Sequence, residues 1–187
     1  MAKENPTAVV TGKVRFSYAQ VWEPKAMEGS TDKKYSVAIL IPKSDKKTAA
    51  KLKAAIHAAI EAGIGSKFGG KKPPNLKMPV RDGDEEKPGD EVYAGHWFIN
   101  ATAKQKPGIV DRNMNEILDR DEFYSGCYGR ADINFYPFNT NGNKGIACGL
   151  NNLCKLSDGE PLGGKRNAAD AFSDDDFIDE DEAEDTT

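Results

Sequence analysis

Residues 122–156 read EFYSGCYGRADINFYPFNTNGNKGIACGLNNLCKL, and how this stretch folds decides the class of the whole chain. Two runs rich in aromatic and β-branched residues flank the tetrapeptide NTNG, whose Asn-Gly pair suits the tight turn of a β-hairpin. Upstream, TAVVTGKVRFSYAQVW alternates Val14, Phe16 and Tyr18 with Lys13, Arg15 and Ser17, the period-two pattern of a half-buried strand. YSVAILIP reads as a strand ended by Pro42, and VYAGHWFINATAK as another. One helix is expected over residues 44–62, capped by Ser44 or Asp45, striped by Leu52, Ile56 and Ile60, and stopped by Gly63. Residues 63–91 are rich in glycine, proline and lysine and read as a long loop. At least five strands around one central helix fit a mainly β, OB-type Greek-key barrel with long loops, a fold that binds oligonucleotides across one face. A mixed α+β sandwich fits the same pattern.

The 187 residues suit one domain, expected over residues 1–166, and the sixteen aromatics can anchor its core. No stretch of about 18 apolar residues occurs, so no membrane span is expected. MAKENPTAVV lacks the apolar region of a signal peptide, which predicts a cytoplasmic protein. Cys127, Cys148 and Cys154 show no metal-binding spacing and read as reduced thiols. Charge is divided unevenly. Residues 168–187 carry ten of the 30 acidic side chains and no Lys or Arg, leaving the body all 26 basic residues and a surplus of +6. A basic body predicts a polyanionic partner, and the self-repelling tail over 167–187 is expected to be disordered. A tail that only solubilises an ordinary domain is the plainer reading of the charge.

Several motifs resemble catalytic or metal sites and fail on chemistry. GSKFGGKK nearly spells a phosphate-binding loop, but Lys72 holds the position of the magnesium-binding hydroxyl and prolines follow where a helix must start. Asp111, Asn113, Asn115, Asp119 and Glu122 have calcium-loop spacing, yet Glu116 stands where the turn needs glycine. Asp82, Asp84 and Glu85 offer carboxylates for a metal-dependent nuclease, the enzymatic alternative. Neither His57 nor His96 neighbours a nucleophile, so no catalytic residue, cofactor or metal is expected.

Holding single-stranded nucleic acid without regard to sequence needs cations for phosphates and flat rings for bases. This chain interleaves them. The candidates are Arg15, Tyr18, Trp22, Lys33, Lys34, Lys67, Lys71, Lys72, Trp97, Lys104, Lys106, Tyr124, Arg130 and Tyr136, with Tyr18, Trp22, Trp97, Tyr124 and Tyr136 as stacking platforms. Phe16 and Phe135 are assigned to the core, because Tyr and Trp carry a polar atom to keep wet.

GKVRFSYAQVWEPKA, KYSVAILIPKSD, FYSGCYGRADINFYPFNTNGNKGIACGLNN and DGEPLGG closely resemble, in order, the blocks of a family of phage single-stranded DNA-binding proteins. The likeness runs from about Gly12 to Phe172. It implies an OB fold, binding of single-stranded DNA in replication or recombination, and no catalysis. Such proteins typically end in an acidic tail closed by an aromatic, whereas this chain closes on Asp185, Thr186 and Thr187. The tail is then expected to compete with DNA for the basic body. It would also recruit replication or recombination proteins through Asp174, Asp175, Asp176, Phe177, Ile178, Asp179 and Glu180. Duplex binding and homo-oligomers are compatible with this reading, and a protein-interaction module acting through the tail is a further alternative.

Overall fold

The computed structural model describes residues 6–26 and 31–162; the acidic segment expected over 167–187 and its boundary with the body lie outside them. Ten elements follow in order: β1 (Ala8–Val10), β2 (Val14–Ala26), β3 (Lys33–Pro42), α1 (Lys46–Ile64), β4 (Val80–Asp82), α2 (Gly83–Glu86), β5 (His96–Ala103), β6 (Gly108–Val110), β7 (Tyr128–Thr140) and β8 (Asn143–Ser157). The fold is mainly β with one long central helix. No helix among the described residues is long and apolar enough to cross a membrane.

The hairpin forms where the sequence places it. Thr140 pairs with Asn143, and Asn141 and Gly142 turn between them at φ 51° and 84°. Two positive φ values are what a two-residue type I′ turn requires, which is why Asn-Gly suits it. β7 then pairs with β2 through Val14↔Gly129 and Arg15↔Tyr128. β2 pairs with β3, β3 with β5, and β5 runs parallel to β8 at Ala101↔Cys148 and Thr102↔Gly149. The order β7-β2-β3-β5-β8 returns to β7, so five strands close into a ring. Its interior gathers Phe16, Val37, Ile39, Ile41, Ile99, Ile133 and Phe135 in one core, all buried.

α1 packs on β7 and buries Leu52, Ile56 and Ile60, with Ala55, Ala59 and Gly63 also buried. Asp45 caps it, its carboxylate accepting from Thr48 N (3.0 Å) and Thr48 Oγ1 (2.6 Å). These hydrogen bonds hold the Asp45 carboxyl below the usual carboxylate range. Gly12 N donates to Thr48 Oγ1 at 3.0 Å, tying the helix start to the β1–β2 turn.

The structure corrects two expectations. Gly63 does not stop α1, which runs to Ile64; a Cβ at residue 63 would stand 2.4 Å from the Phe68 ring and 2.8 Å from Pro137 Cβ. Glycine is there to admit Phe68, which is buried although it lies in the lysine-rich segment. Residues 63–91 are also not wholly loop. β4 pairs with β5 through Val80↔Ile99, Arg81↔Phe98 and Asp82↔Trp97, and α2 follows. Three-residue strands are too short to show a period, and this one is defined by a partner from another part of the chain.

A second, smaller apolar cluster lies outside the ring. Ala38 and Leu40 of β3 pack with Phe98, and Tyr93 covers them with its ring edge-on to Phe98 at 5.1 Å. β3 is therefore buried on both faces over part of its length, which accounts for the unbroken apolar run VAILI.

The β2–β7 seam leaves no room at Gly129: a Cβ there would lie 2.0 Å from the Cys154 carbonyl oxygen and 3.0 Å from the Phe16 ring. Gly129→Ala is expected to destabilise the protein by about 1–3 kcal/mol through overpacking, read as a lower urea midpoint at unchanged slope.

Candidate nucleic-acid interface

Cross-strand partners share a face of a sheet, so the register defines the outer surface of β2, β3 and β5 row by row. Ser17, Ala38 and Asn100 form one row; Gln20, Ser36 and Thr102 form the next; Lys25 and Lys34 form a third. Small and polar side chains thus floor a groove of about 580 Å³, with Lys25 and Lys34 at one end and Tyr18 among its walls.

Tyr18 owes its position to a β-bulge. Between the pairs Ser17↔Ala38 and Gln20↔Ser36, β2 inserts Tyr18 and Ala19 opposite the single residue Val37. Tyr18 takes the left-handed conformation, φ 47°, and the residue is 66% exposed. Ala19 N donates to Ser125 Oγ at 2.9 Å, which fixes the bulge from behind. A bulky residue held at positive φ is strained by about 1–3 kcal/mol and needs its surroundings to hold it there. A second recess of about 380 Å³ shares Tyr18 and Gln20 with the groove and adds Ser17, Asp90, Tyr93 and Leu162.

The family model described as the Enterobacter phage Enc34 ssDNA-binding protein matches residues 7–186. The chain belongs to that family. A curated relative, putative protein p50 of Acyrthosiphon pisum secondary endosymbiont phage 1, is 32% identical over 177 residues, covering 90% of this chain and 94% of that protein. Among solved structures, the single-stranded DNA-binding protein of bacteriophage Enc34 in complex with ssDNA superposes with a TM-score of 0.70 at 26% identity, over 87% of this chain and 97% of that one. The gp2.5 protein of bacteriophage T7 shares the fold, with a TM-score of 0.60 at 14% identity over 92% and 98% of the two chains. The family thus has an OB-like fold, and the closed ring is this chain's version of it.

Of the residues singled out in the sequence, the groove brings together Tyr18 and Lys34. Lys33 and Lys104 are exposed at the ends of β3 and β5, where Tyr35↔Ala103 is the last pair. Trp22 leans on the core; its Nε1 donates to the Phe123 carbonyl at 3.0 Å and Lys106 Nζ stands 4.8 Å over its ring. Trp97 is capped by Lys43 at 4.6 Å and faces an apolar recess beside α1 with Leu52, Ile56 and Met78. Tyr136 is 40% exposed on β7, opposite Ala147, on strands that do not line the groove. Arg130 Nε donates to the Thr11 carbonyl at 2.8 Å. Lys67, Lys71 and Lys72 are exposed on the segment after α1, which Asn139 anchors at the hairpin end through the Lys67 carbonyl.

Arg15 and Tyr124 hold the segment that leads into the acidic tail. Arg15 donates from Nη2 to the Glu160 carbonyl (2.8 Å) and from Nε to Gly126 (3.0 Å). The Tyr124 hydroxyl donates to Asp158 at 2.9 Å, and Lys155 Nζ meets the same carboxylate at 2.7 Å. Lys155 and Tyr124 together keep the Asp158 carboxyl below its ordinary range. Leu162 N donates to the Ser125 carbonyl at 2.8 Å, so the described chain ends on the wall of the recess beside Tyr18.

Two of the three carboxylates of the nuclease alternative, Asp82 and Asp84, are also engaged. Lys43 Nζ lies 2.7 Å from Asp82 Oδ1 and 2.8 Å from Asp84 Oδ2. Lys43 holds both carboxyls below the usual range. No group of three or more His, Cys, Asp or Glu with metal-binding geometry occurs among the described residues.

Sequence reasoning missed Gln20, Ser36, Asn100 and Thr102 because it looked for rings and cations, and Lys25 because only its pairing with Lys34 shows that β2 carries it to the groove. Parity would have found Ser36, which is two residues from Lys34 and so on the same face. The bulge gives a stability prediction. Tyr18→Gly and Tyr18→Ala both delete the ring, and the glycine variant is expected to be more stable by about 1 kcal/mol, since only alanine keeps the left-handed penalty; urea unfolding of the pair measures the difference.

Proposed function

We propose that the protein binds single-stranded DNA without regard to sequence, in the outer groove of an OB-type barrel, during phage DNA replication or recombination. The groove over β2, β3 and β5 carries this reading: lysines at one end, a floor of small polar side chains, and an exposed ring forced into place by a strained backbone. Lys25 and Lys34 neutralise phosphates, while Tyr18 gives a base a flat face on which to stack. Further phosphates extend over Lys33 and Lys104. That the Enc34 relative is a single-stranded DNA-binding protein, solved in complex with ssDNA, supports the same reading. The protein acts by binding rather than by catalysis, since Asp82 and Asp84 serve to hold Lys43 against Trp97.

The acidic residues 168–187 compete with DNA for the groove and are released to recruit replication or recombination proteins when DNA binds. The position of Leu162 supports this. Leu162 lines the recess beside Tyr18, and the ten acids of 168–187 follow it in the chain, which tethers them to the domain at high effective concentration.

Titrating oligo-dT by intrinsic fluorescence at two or more salt concentrations should give an affinity that falls with a log–log slope of roughly −0.7 per neutralised phosphate. Tyr18→Ala should weaken binding about 5- to 150-fold, equivalent to the 1–3 kcal/mol of a stacked base, with that slope unchanged. Binding that is absent or indifferent to salt overturns the proposal. Deleting residues 168–187 should tighten binding, most at low salt where the competing charge is least screened.

A further inference from the structure

The groove and the recess next to it share Tyr18 and Gln20 but have opposite chemistry. The groove carries Lys25 and Lys34. The recess has no Lys or Arg among its lining residues and carries Asp90 instead. Ser17 and Tyr93 form its inner wall, 5% and 3% exposed. Asp90 is oriented by Val92 N, which donates to its Oδ1 at 3.0 Å. At about 380 Å³ the recess is too small for a length of polynucleotide backbone with its bases and roomy enough for one base. A phosphate directed into it would meet a carboxylate, so the backbone is favoured along the lysines and a base toward Asp90.

We infer that the recess walled by Ser17, Tyr18, Asp90 and Tyr93 is a nucleobase pocket selective for bases that present an amino group. This rests on the single-stranded DNA reading and refines it: one such pocket in an otherwise indifferent site gives a bias in base composition, not recognition of a motif. An ionised carboxylate only accepts hydrogen bonds. The 4-amino group of cytosine donates to it, as acidic side chains accept from cytosine N4 in duplex readout. Uracil presents a carbonyl oxygen at that position, and two acceptors face each other. Tyr18 stacks on whichever base enters, so it adds affinity without choosing between them.

Oligo-dC and oligo-dU of equal length isolate the contact, because they differ only in the pyrimidine edge. With the full-length protein at one fixed salt concentration, competition against a labelled oligonucleotide should show oligo-dC binding about tenfold tighter. Asp90→Asn retains an oxygen to accept from Val92 N but removes the charge and supplies a donor, and it should bring the ratio of the two affinities to near one. Equal binding of oligo-dC and oligo-dU by the unaltered protein overturns the inference. So does an Asp90→Asn variant that keeps the ratio while tightening both, since Asp90 would then act only by repelling the backbone. If neither oligonucleotide binds, the single-stranded DNA reading itself fails, an outcome distinct from equal binding.

Discussion

The closing pairs Val14↔Gly129 and Arg15↔Tyr128 are the constraint on which the rest of the molecule depends. A strand has two faces, and closing five strands into a ring commits the inner face of each to one core. Whatever the protein does must then be done from the outer face, the loops or the termini. The seam is short and tight. At Gly129 the Cys154 carbonyl of β8 and the Phe16 ring of β2 both close on β7, and Phe16, fully buried, packs against Phe123 at a ring separation of 5.0 Å.

The same closure explains the strain at Tyr18. β2 must leave β7 and follow β3 around the ring, and it does so with two irregularities in its pairing, between Ser17 and Gln20 and between Gln20 and Lys25. Extra residues in one strand bend it and increase its twist. At the first irregularity the extra residue is a tyrosine with a left-handed backbone and an exposed ring. Strand curvature and ring presentation are thus one structural event. At the second, Trp22 turns back onto the core and its indole nitrogen is taken up by the Phe123 carbonyl. Two aromatics four residues apart, alike in sequence, take different places because only one has a hydrogen-bond acceptor and apolar surface waiting for it.

Charge follows a similar division. The basic surplus of the body is not spread evenly over its cations: Arg15, Lys43, Arg130 and Lys155 each hold carbonyls or carboxylates of the fold itself. Lys25 and Lys34 stand along the groove. Arg15 and Lys155, with Tyr124, fasten the 158–162 segment, so Arg15 and Tyr124, which looked suited to a phosphate and a base, hold part of the fold itself.

The sequence by itself determined the local geometry. Asn141-Gly142 set the hairpin turn, Asp45 with Thr48 set the helix start, and period-two alternation set β2 as far as Phe16, before the bulge at Tyr18. Each depends on residues within a few positions of one another, where turn chemistry, capping and side-chain alternation act. It also separated a basic body from an acidic end, because net charge needs no coordinates. Only the tertiary structure decided which candidates share a surface. Tyr18, Lys34, Ser36 and Asn100 meet through strand register, Phe68 is buried by a glycine five residues before it, and β4 exists because β5 offers it an edge. Register and burial are properties of pairs far apart in the chain. A pattern confined to one segment carries no record of its partner, so the groove became visible only when the ring closed.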